Sequence, residues 1–206
     1  MIFPKRTFTV CVFMNNDAYL SCIAYVIMFL FGSFETAILS DNVAKGVFMK
    51  KILFVCHGNI CRSPMAKFIF SDLVRRKELA AEYFIDSAAT SDEETGNPMY
   101  PPAREELMRR GVPFNSHRAR RMNAEDYQDF DVIAVMDEQN LSNVRRMTGG
   151  DPKGKVHLLL EYAGEHAAIS DPWFTRDFAR AYDDILRGCE GLLATTERER
   201  AKQPQS

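Results

Sequence analysis

The feature that most restricts the fold is an uninterrupted apolar run, ILFV at 52–55, that stops abruptly at a glycine-containing loop. A strand without polar alternation is buried on both faces, which is typical of parallel sheets covered by helices. After the loop, Ser63 is a favourable N-cap and Pro64 suits the first helical position. Apolar residues then recur at helical spacing, at positions 65, 68, 69, 73 and 74. This segment therefore predicts a strand, a loop and a helix within a parallel sheet.

The same alternation of short apolar runs and amphipathic segments continues along the chain. Further strands are predicted at Tyr83–Ile85, Val132–Met136 and Val156–Leu160, and further helices at Pro102–Arg110, at Asp137–Arg146 and after a Thr175 cap. In the last helix the apolar residues fall in steps of three and four, at positions 178, 182, 185, 186, 189, 192 and 193. The pattern predicts the α/β class, as a single domain with a four-stranded parallel sheet flanked by helices on both faces.

Composition narrows the function classes. The chain has 206 residues, 46% of them hydrophobic, and its 26 basic and 28 acidic side chains give a formal charge of -2. Such a balance provides no bulk field that would attract nucleic acid, so no nucleic-acid partner is expected. The five cysteines, at 11, 22, 56, 61 and 189, are too few and too irregular for a disulfide framework. A reducing compartment, the cytoplasm, is expected.

The first 48 residues differ from the rest. Residues 18–34, AYLSCIAYVIMFLFGSF, carry no charge and are almost long enough to cross a bilayer. No clear cleavage site follows, which disfavours a secretion signal. We expect a dispensable or mis-started leader, because MKKILF from Met49 runs straight into the first strand. The alternative is a single N-terminal membrane anchor with a cytoplasmic catalytic domain, and membrane contact is expected only if the leader is real.

These boundaries give a leader at 1–48, a folded domain at 49–196 and a tail at 197–206. The tail is charged and contains proline and glutamine, so we expect it to be disordered.

Residues 56–63, CHGNICRS, form what we call the Cys56 loop. It joins the carboxyl end of a strand to the amino end of a helix, where open parallel sheets bind ligands. Gly58 and Asn59 can take positive φ, so successive backbone N–H groups can surround one anion, with the helix adding its positive end. The same groups would favour the thiolate of Cys56, which makes this cysteine a candidate nucleophile. Arg62 can clamp two phosphoryl oxygens, and Ser63 can donate its hydroxyl to the sulfur.

A cysteine followed six positions later by an arginine is a short pattern, but here it stands between a predicted strand and a predicted helix. The sequence VCHGNICRSP resembles the phosphate-binding loop of the low-molecular-weight protein tyrosine phosphatases. The likeness extends, in the order of that family, through DSAATS at 86–91, SHRAR at 116–120, FDVIAVMDEQNL at 130–141 and DPW at 171–173. It covers roughly residues 50 to 195.

The resemblance implies hydrolysis of a phosphate monoester in two steps, without a metal or an organic cofactor. Cys56 would attack phosphorus and carry a phosphocysteine, and Arg62 would hold the phosphoryl oxygens. Asp171 would protonate the leaving oxygen and later act as the base for water. The rest of the phosphate-binding loop would consist of His57, Gly58, Asn59, Ile60, Cys61 and Ser63. The expected substrate is a phosphotyrosine protein or a small aryl phosphate.

Other matching positions have supporting roles in that family. A hydrogen-bond network would hold the loop in shape, and its members here are Asn59, Ser63, Ser87 and His117. Cys61 matches a second cysteine that can form a reversible disulfide with Cys56, and packing at the helix start is the alternative. His57 is expected at the rim.

Two walls of the expected pocket depart from the family pattern. Trp173 and Phe174 stand where two tyrosines are common, and they would select a flat phenyl ring. Glu93, followed by Glu94, occupies a position that is often aromatic. We therefore expect weaker binding of substrates with acidic residues beside the phosphotyrosine.

Competing functions fit the sequence less well. Arsenate reduction needs further cysteines downstream, and none occurs between Cys61 and Cys189. Zinc binding by Cys56, His57 and Cys61 lacks a second ligand pair. An inactive phosphotyrosine-binding module or a membrane-tethered adaptor would need neither a nucleophile nor an acid. A Walker-type nucleotide loop is absent from the sequence.

Overall fold

The computed structural model of the protein describes residues 49–202. The expected leader or membrane anchor at 1–48, and the last four residues, lie outside the described residues. Between residues 49 and 202, no helix combines the length and the apolar character needed to cross a bilayer.

Four strands form one parallel sheet. They are β1 (Lys50–Cys56), β2 (Tyr83–Ala89), β3 (Val132–Val135) and β4 (Val156–Leu158), in the spatial order β2-β1-β3-β4. The prediction of a four-stranded parallel α/β sheet is confirmed. From β1 the chain crosses to β2 on one side and then returns past β1 to β3 on the other. The connections that follow β1 and β3 therefore diverge, and the crevice between them is where such sheets bind ligands.

Six helices and two short 3₁₀ turns, at Ala80–Glu82 and Leu159–Ala163, connect and follow these strands in the described part of the chain. The helices are α1 (Arg62–Arg76), α2 (Pro101–Arg109), α3 (Ala124–Asp129), α4 (Glu138–Met147), α5 (Pro172–Thr175) and α6 (Phe178–Ala201). The sequence did not predict α3, although Asn123 and Asp126 cap its start reciprocally through side chain and backbone.

The sheet separates two apolar cores. Ile52 and Phe54 of β1 pack into one core with α1 and α6, while Leu53 and Val55 pack into the other with α3 and α4. All four side chains are fully buried. Because successive side chains of a strand point to opposite faces, a strand buried on both faces must be apolar throughout. The expected covering of both faces by helices is confirmed.

Two predicted helix starts are wrong. Cys61 is the N-cap residue of α1, and the hydroxyl of Ser63 contacts Cys56 and Asn59 instead of capping the helix. Thr175 ends the separate helix α5, and the side chain of Asp177 caps α6 by accepting a hydrogen bond from the Arg180 backbone.

Strand lengths and the tail also differ from expectation. Strand β2 runs on to Ala89, and β4 stops at Leu158, directly before the 3₁₀ turn at Leu159–Ala163. Residues 197–201 were expected to be disordered, but they continue α6 to Ala201. Glu197 and Glu199 contact Lys77 and Lys50 at 2.6 and 3.1 Å, so the charges of this segment pair with the domain.

The close approach of α6 to the 3₁₀ turn at Leu159–Ala163 gives a test of the packing. A Cβ atom on Gly191 would lie 2.2 Å from the carbonyl oxygen of Tyr162, which is backbone and cannot move aside easily. Alanine usually stabilises an exposed helix relative to glycine, by about 0.5–1 kcal/mol. We expect Gly191→Ala to have the opposite sign and to lower the free energy of unfolding by about 1–3 kcal/mol in denaturant titrations. Glu190→Ala, at an exposed position of the same helix, is the control and should change it little; a stabilised Gly191→Ala protein would contradict the packing.

Candidate active site

The Cys56 loop lies at the crevice between the carboxyl ends of β1 and β3. Cys56 is the last residue of β1, and Arg62 is the first residue of α1. Asn59 has a φ of 57°, in the left-handed region. Gly58 was expected to share that conformation but is not among the residues with positive φ. Its missing side chain instead makes room for Glu94, whose Cγ would lie 3.1 Å from a Cβ at Gly58.

Asn59 is fully buried and joins the loop to two other segments. Its Nδ2 group donates to Ser63 Oγ at 2.8 Å and to Ser87 Oγ at 3.0 Å. Its Oδ1 atom accepts from the Arg120 backbone N–H at 3.1 Å, and its carbonyl oxygen is 2.7 Å from His117 Nε2. The structure thus brings together the four polar residues that the family resemblance groups, and adds Arg120. A left-handed asparagine costs about 1 kcal/mol or more, which these bonds offset.

His117 supports the loop as a neutral donor. Burial lowers the pKa of His117, with the Asn59 carbonyl opposing this shift. Because a carbonyl oxygen only accepts, Nε2 must carry the hydrogen that bonds it. His117 is half-buried and braces the loop through this bond.

The hydroxyl of Ser63 is directed at the candidate nucleophile. Cys56 is 3% exposed, and its Sγ atom lies 3.0 Å from Ser63 Oγ. Since Asn59 Nδ2 can only donate, Ser63 Oγ accepts that bond and keeps its own hydrogen for another partner. The sulfur is closer than the alternative acceptor, the Ala88 carbonyl at 3.4 Å. Ser63 can therefore stabilise negative charge on Cys56.

Arg62 is a buried cation held by two carboxylates. Its side chain is 3% exposed. The Nη1 atom donates to Asp137 at 2.6 Å and to the Ile169 carbonyl at 3.0 Å, while Nη2 donates to Asp171 at 2.5 Å. Burial lowers the pKa of Arg62, but Cys56, Asp171 and Asp137 outweigh it, and the net pKa is raised. The guanidinium stays charged and its plane is fixed.

Sequence reasoning missed Asp137 as a site residue and treated it as the start of a helix. It is the N-cap of α4, where its Oδ1 accepts from the Asn140 backbone at 2.7 Å while Oδ2 binds Arg62. One signal could have found it: this carboxylate follows β3, and the carboxyl ends of neighbouring parallel strands lie at one sheet edge. No sequence signal marks the Ile169 carbonyl.

Asp171 reaches the site from what we call the Asp171 loop, residues 169–177. It caps α5, because its Oδ1 accepts from the Trp173 backbone at 3.0 Å. Its other oxygen binds Arg62. The carboxyl group of Asp171 therefore lies on the Cys56 side of this short helix, as the Asp-Pro motif and the family resemblance suggested.

These residues surround a cavity of about 240 Å³. Its lining residues are Cys56, His57, Gly58, Ile60, Cys61, Arg62, Glu93, Glu94, Asp171, Trp173 and Phe174. Trp173 and Phe174 are 40% and 81% exposed, so both present aromatic surface at the entrance. His57 is exposed, and its Nε2 lies 3.2 Å from Glu93. The cavity is lined by one cation, Arg62, and by three acidic residues, Glu93, Glu94 and Asp171.

Two further buried cysteines, Cys61 and Cys189, lie outside the nucleophile position. Burial, reinforced by the negative neighbours Cys56 and Asp171, raises the pKa of Cys61 to about 12. Cys61 therefore remains a thiol at neutral pH. Cys189 is a third free thiol, fully buried in α6 beside the Ala66 carbonyl. Across residues 49–202, no group of three or more His, Cys, Asp or Glu side chains is arranged to hold a metal ion.

Comparisons with known proteins show which family the chain matches. The family described as "Low molecular weight phosphotyrosine protein phosphatase" matches residues 51–202. "Low molecular weight protein-tyrosine-phosphatase YfkJ" of Bacillus subtilis is 39% identical over 154 residues, which are 74% of this chain and 99% of that protein. The "Low molecular weight phosphotyrosine protein phosphatase" of Homo sapiens is also 39% identical, over 70% of this chain and 94% of its own.

The fold agrees as well. The crystal structure of YfkJ from Bacillus subtilis superimposes with a TM-score of 0.71, at 39% sequence identity. The match covers 75% of this chain and 98% of that one.

The hydrogen bond from His117 to the Asn59 carbonyl can be tested through anion binding. Without it, the left-handed Asn59 loses a brace and the loop N–H groups lose alignment. We expect His117→Ala to weaken binding of inorganic phosphate about fivefold in calorimetric titrations, which corresponds to about 1 kcal/mol. Ser116→Ala, at the exposed neighbouring position, should bind phosphate like the unchanged protein. Equal affinities in all three proteins would remove His117 from the bracing of the loop.

Proposed function

The chain belongs to the low-molecular-weight phosphotyrosine protein phosphatase family, and from that premise we propose that it hydrolyses phosphotyrosine and related aryl phosphates through a phosphocysteine on Cys56. The observation that carries the proposal is the arrangement of one cavity. A buried guanidinium, Arg62, lies among Cys56 and two carboxylates, and the hydroxyl of Ser63 is 3.0 Å from the sulfur.

In the first step, the thiolate of Cys56 attacks phosphorus and the bond to the ester oxygen breaks. Arg62 and the loop N–H groups hold the non-bridging oxygens, where negative charge is concentrated. The tyrosine oxygen is a poor leaving group, so Asp171 gives it a proton as the bond breaks. The products of this step are a neutral phenol and an S-phosphocysteine.

In the second step, a water molecule attacks the phosphocysteine. Asp171, now a carboxylate, takes the proton from the water, and the sulfur–phosphorus bond breaks. The sulfur leaves as a thiolate, and the Ser63 hydroxyl hydrogen stabilises the charge that appears on it. Inorganic phosphate is released, and both catalytic groups return to their initial protonation states.

The ion pairs of Arg62 support different roles for its two carboxylates. Asp137 is fixed as the N-cap of α4, and it can keep Nη1 in place throughout the reaction. Asp171 holds Nη2, the other terminal nitrogen of the guanidinium. A phosphoryl oxygen that binds Nη2 would release Asp171 toward the ester oxygen, so substrate binding and acid placement would be linked.

The cavity walls support the substrate class. Trp173 and Phe174 offer aromatic surface to a phenyl ring. Because Cys56 lies at a buried position below this entrance, the short side chains of phosphoserine and phosphothreonine would not reach it. A phosphotyrosine protein or a small aryl phosphate therefore remains the proposed substrate.

We also propose that Cys61 protects the nucleophile. A peroxide would oxidise Cys56 to a sulfenic acid with release of water or an alcohol, and the Cys61 thiol would then displace water to form a disulfide. A cellular thiol would reduce it. Both cysteines line the same cavity, which supports the pairing. This chemistry requires a reducing compartment, so we place the catalytic domain in the cytoplasm, with or without an anchor at 1–48.

The nucleophile and the acid can be tested by hydrolysis of p-nitrophenyl phosphate and a phosphotyrosine peptide by the full chain, with EDTA present. We expect activity from the unchanged protein and none measurable from Cys56→Ser. Asp171→Asn should lower kcat/KM for the peptide about 100-fold or more, because general acids contribute about 10²–10⁴-fold. Cys61→Ser is the matched control and should remain active.

Two results would contradict this mechanism. Turnover by Cys56→Ser would exclude the phosphocysteine. A folded but inactive unchanged protein would favour a phosphotyrosine-binding module. Residues 49–206, assayed in parallel, should retain the full activity if the leader is dispensable.

The acidic wall predicts a preference among peptides. Negative charge on Glu93 should repel acidic residues beside the phosphotyrosine. We expect Glu93→Gln to raise kcat/KM for acidic phosphopeptides about 1.4- to fivefold relative to basic ones, the range of about 0.2–1 kcal/mol for exposed charges. Glu105→Gln, exposed on α2, is the control. The change should shrink at high salt, and a ratio unaffected by Glu93→Gln would exclude this role.

A further inference from the structure

Tyr100 connects the two halves of the site. Its backbone N–H donates to the carbonyl oxygen of Ile60, in the Cys56 loop, at 2.9 Å. Tyr100 is also the N-cap residue of α2, and prolines occupy the first two positions of that helix. Because proline fixes φ, the backbone at Tyr100 has little freedom to move relative to α2. One end of this residue is therefore anchored to the loop that carries the nucleophile.

The side chain of Tyr100 contacts the Asp171 loop. Its ring centroid lies 5.0 Å from that of Trp173, with the planes inclined at 58°. Its hydroxyl oxygen accepts a hydrogen bond from Arg176 Nη1 at 3.2 Å. The Arg176 guanidinium in turn lies 5.6 Å from the Trp173 ring centroid. Tyr100, Trp173 and Arg176 thus contact one another pairwise.

Arg176 itself has an unfavourable backbone. Its φ is 62°, and it follows directly after the last residue of α5. A left-handed arginine costs about 1 kcal/mol or more, so the contacts of its side chain with Tyr100 and Trp173 help to keep the chain in this bend. The bend ends α5 and determines where Asp171, at the other end of the same short helix, can lie.

The helix that holds Asp171 needs such support. Helix α5 has four residues, which is too short to be stable by its own hydrogen bonds. The ion pair between Asp171 and Arg62 must break during the reaction, because phosphoryl oxygens bind the same guanidinium. The contacts of Tyr100 with Trp173 and Arg176 do not involve the reacting groups, so they can persist while the proton is transferred.

We propose that Tyr100 is a positioning residue that fixes the Asp171 loop against the Cys56 loop and so places the Asp171 carboxyl group at the leaving oxygen. The inference rests on the proposed function. It differs from a role in binding, since a residue that only completes the aromatic wall would affect all aryl phosphates alike. A residue that places the acid matters most when the leaving group most needs a proton.

The test compares kcat/KM of the full chain for pentafluorophenyl, p-nitrophenyl and unsubstituted phenyl phosphate. kcat/KM reports phosphoryl transfer to Cys56. The need of the leaving group for a proton is smallest for the pentafluorophenyl ester and largest for phenyl phosphate. Tyr100→Leu should lower kcat/KM about tenfold or more for phenyl phosphate and less than about twofold for the pentafluorophenyl ester. Phe84→Leu, at an exposed aromatic residue of β2, should change none of the three.

Milder variants and a double variant strengthen the test. Tyr100→Phe removes only the bond to Arg176, and Arg176→Asn keeps a residue that tolerates positive φ while it removes the guanidinium. Both variants should make kcat/KM depend more steeply on the leaving group than it does in the unchanged protein, but less steeply than in Tyr100→Leu. In the Asp171→Asn background, the Tyr100 change should add no further steepening, because both act through one proton.

The outcomes separate the two proposals. In one outcome, Asp171→Asn makes kcat/KM depend more steeply on the leaving group, while the Tyr100 and Arg176 variants lower kcat/KM equally for all three esters. The positioning role is then wrong and the mechanism stands. If Asp171→Asn leaves the dependence unchanged, or Cys56→Ser is active, the proposed function itself fails. Should Tyr100→Leu not fold, Tyr100→Phe and Arg176→Asn decide the question by the same measurement.

Discussion

The burial of one positive charge organises the site. A guanidinium that is 3% exposed would be very costly without partners, and Arg62 has two carboxylates and a backbone carbonyl. Asp137 comes from the end of β3, and Asp171 and Ile169 come from a loop more than a hundred residues along the chain from Arg62. The need to pair one cation therefore brings three segments to the carboxyl edge of the sheet.

The same pairing bears on catalysis. Two carboxylates beside one guanidinium leave an excess of negative charge, which would oppose a phosphate dianion. The uncharged acid form of Asp171 removes this conflict, and it is the form that can protonate a leaving oxygen. Asp137, which also caps α4, suits the opposite role of a permanent counterion. The chemistry of the proposed first step thus depends on the electrostatics of a single buried residue.

Local patterns predicted the features that depend on neighbouring residues. The run at 52–55 identified β1 because a strand covered on both faces allows only apolar side chains. Ser63 was misread as a cap because its hydroxyl is bound by Asn59, which also reaches Ser87 in β2. Thr175 was misread because Asp177, two residues later, caps α6 instead. Asp137 and Tyr100 were not predicted as site residues, since their contacts join segments that the sequence does not show to be adjacent.

The two halves of the site differ in how they are supported. The Cys56 loop stands on β1 and α1, and Asn59 at its centre is fully buried with every side-chain polar atom bonded. Such a loop presents its N–H groups without rearrangement, as stabilisation of transition-state charge requires.

The Asp171 loop instead carries a four-residue helix with an exposed Phe174, held by a few contacts. In the proposed mechanism Asp171 first gives and then takes a proton while substrate enters and product leaves, and such a group is better placed on the half that fewer contacts hold. The contacts of Tyr100 join the two halves, since its backbone N–H binds the Cys56 loop and its ring packs against Trp173 of the Asp171 loop.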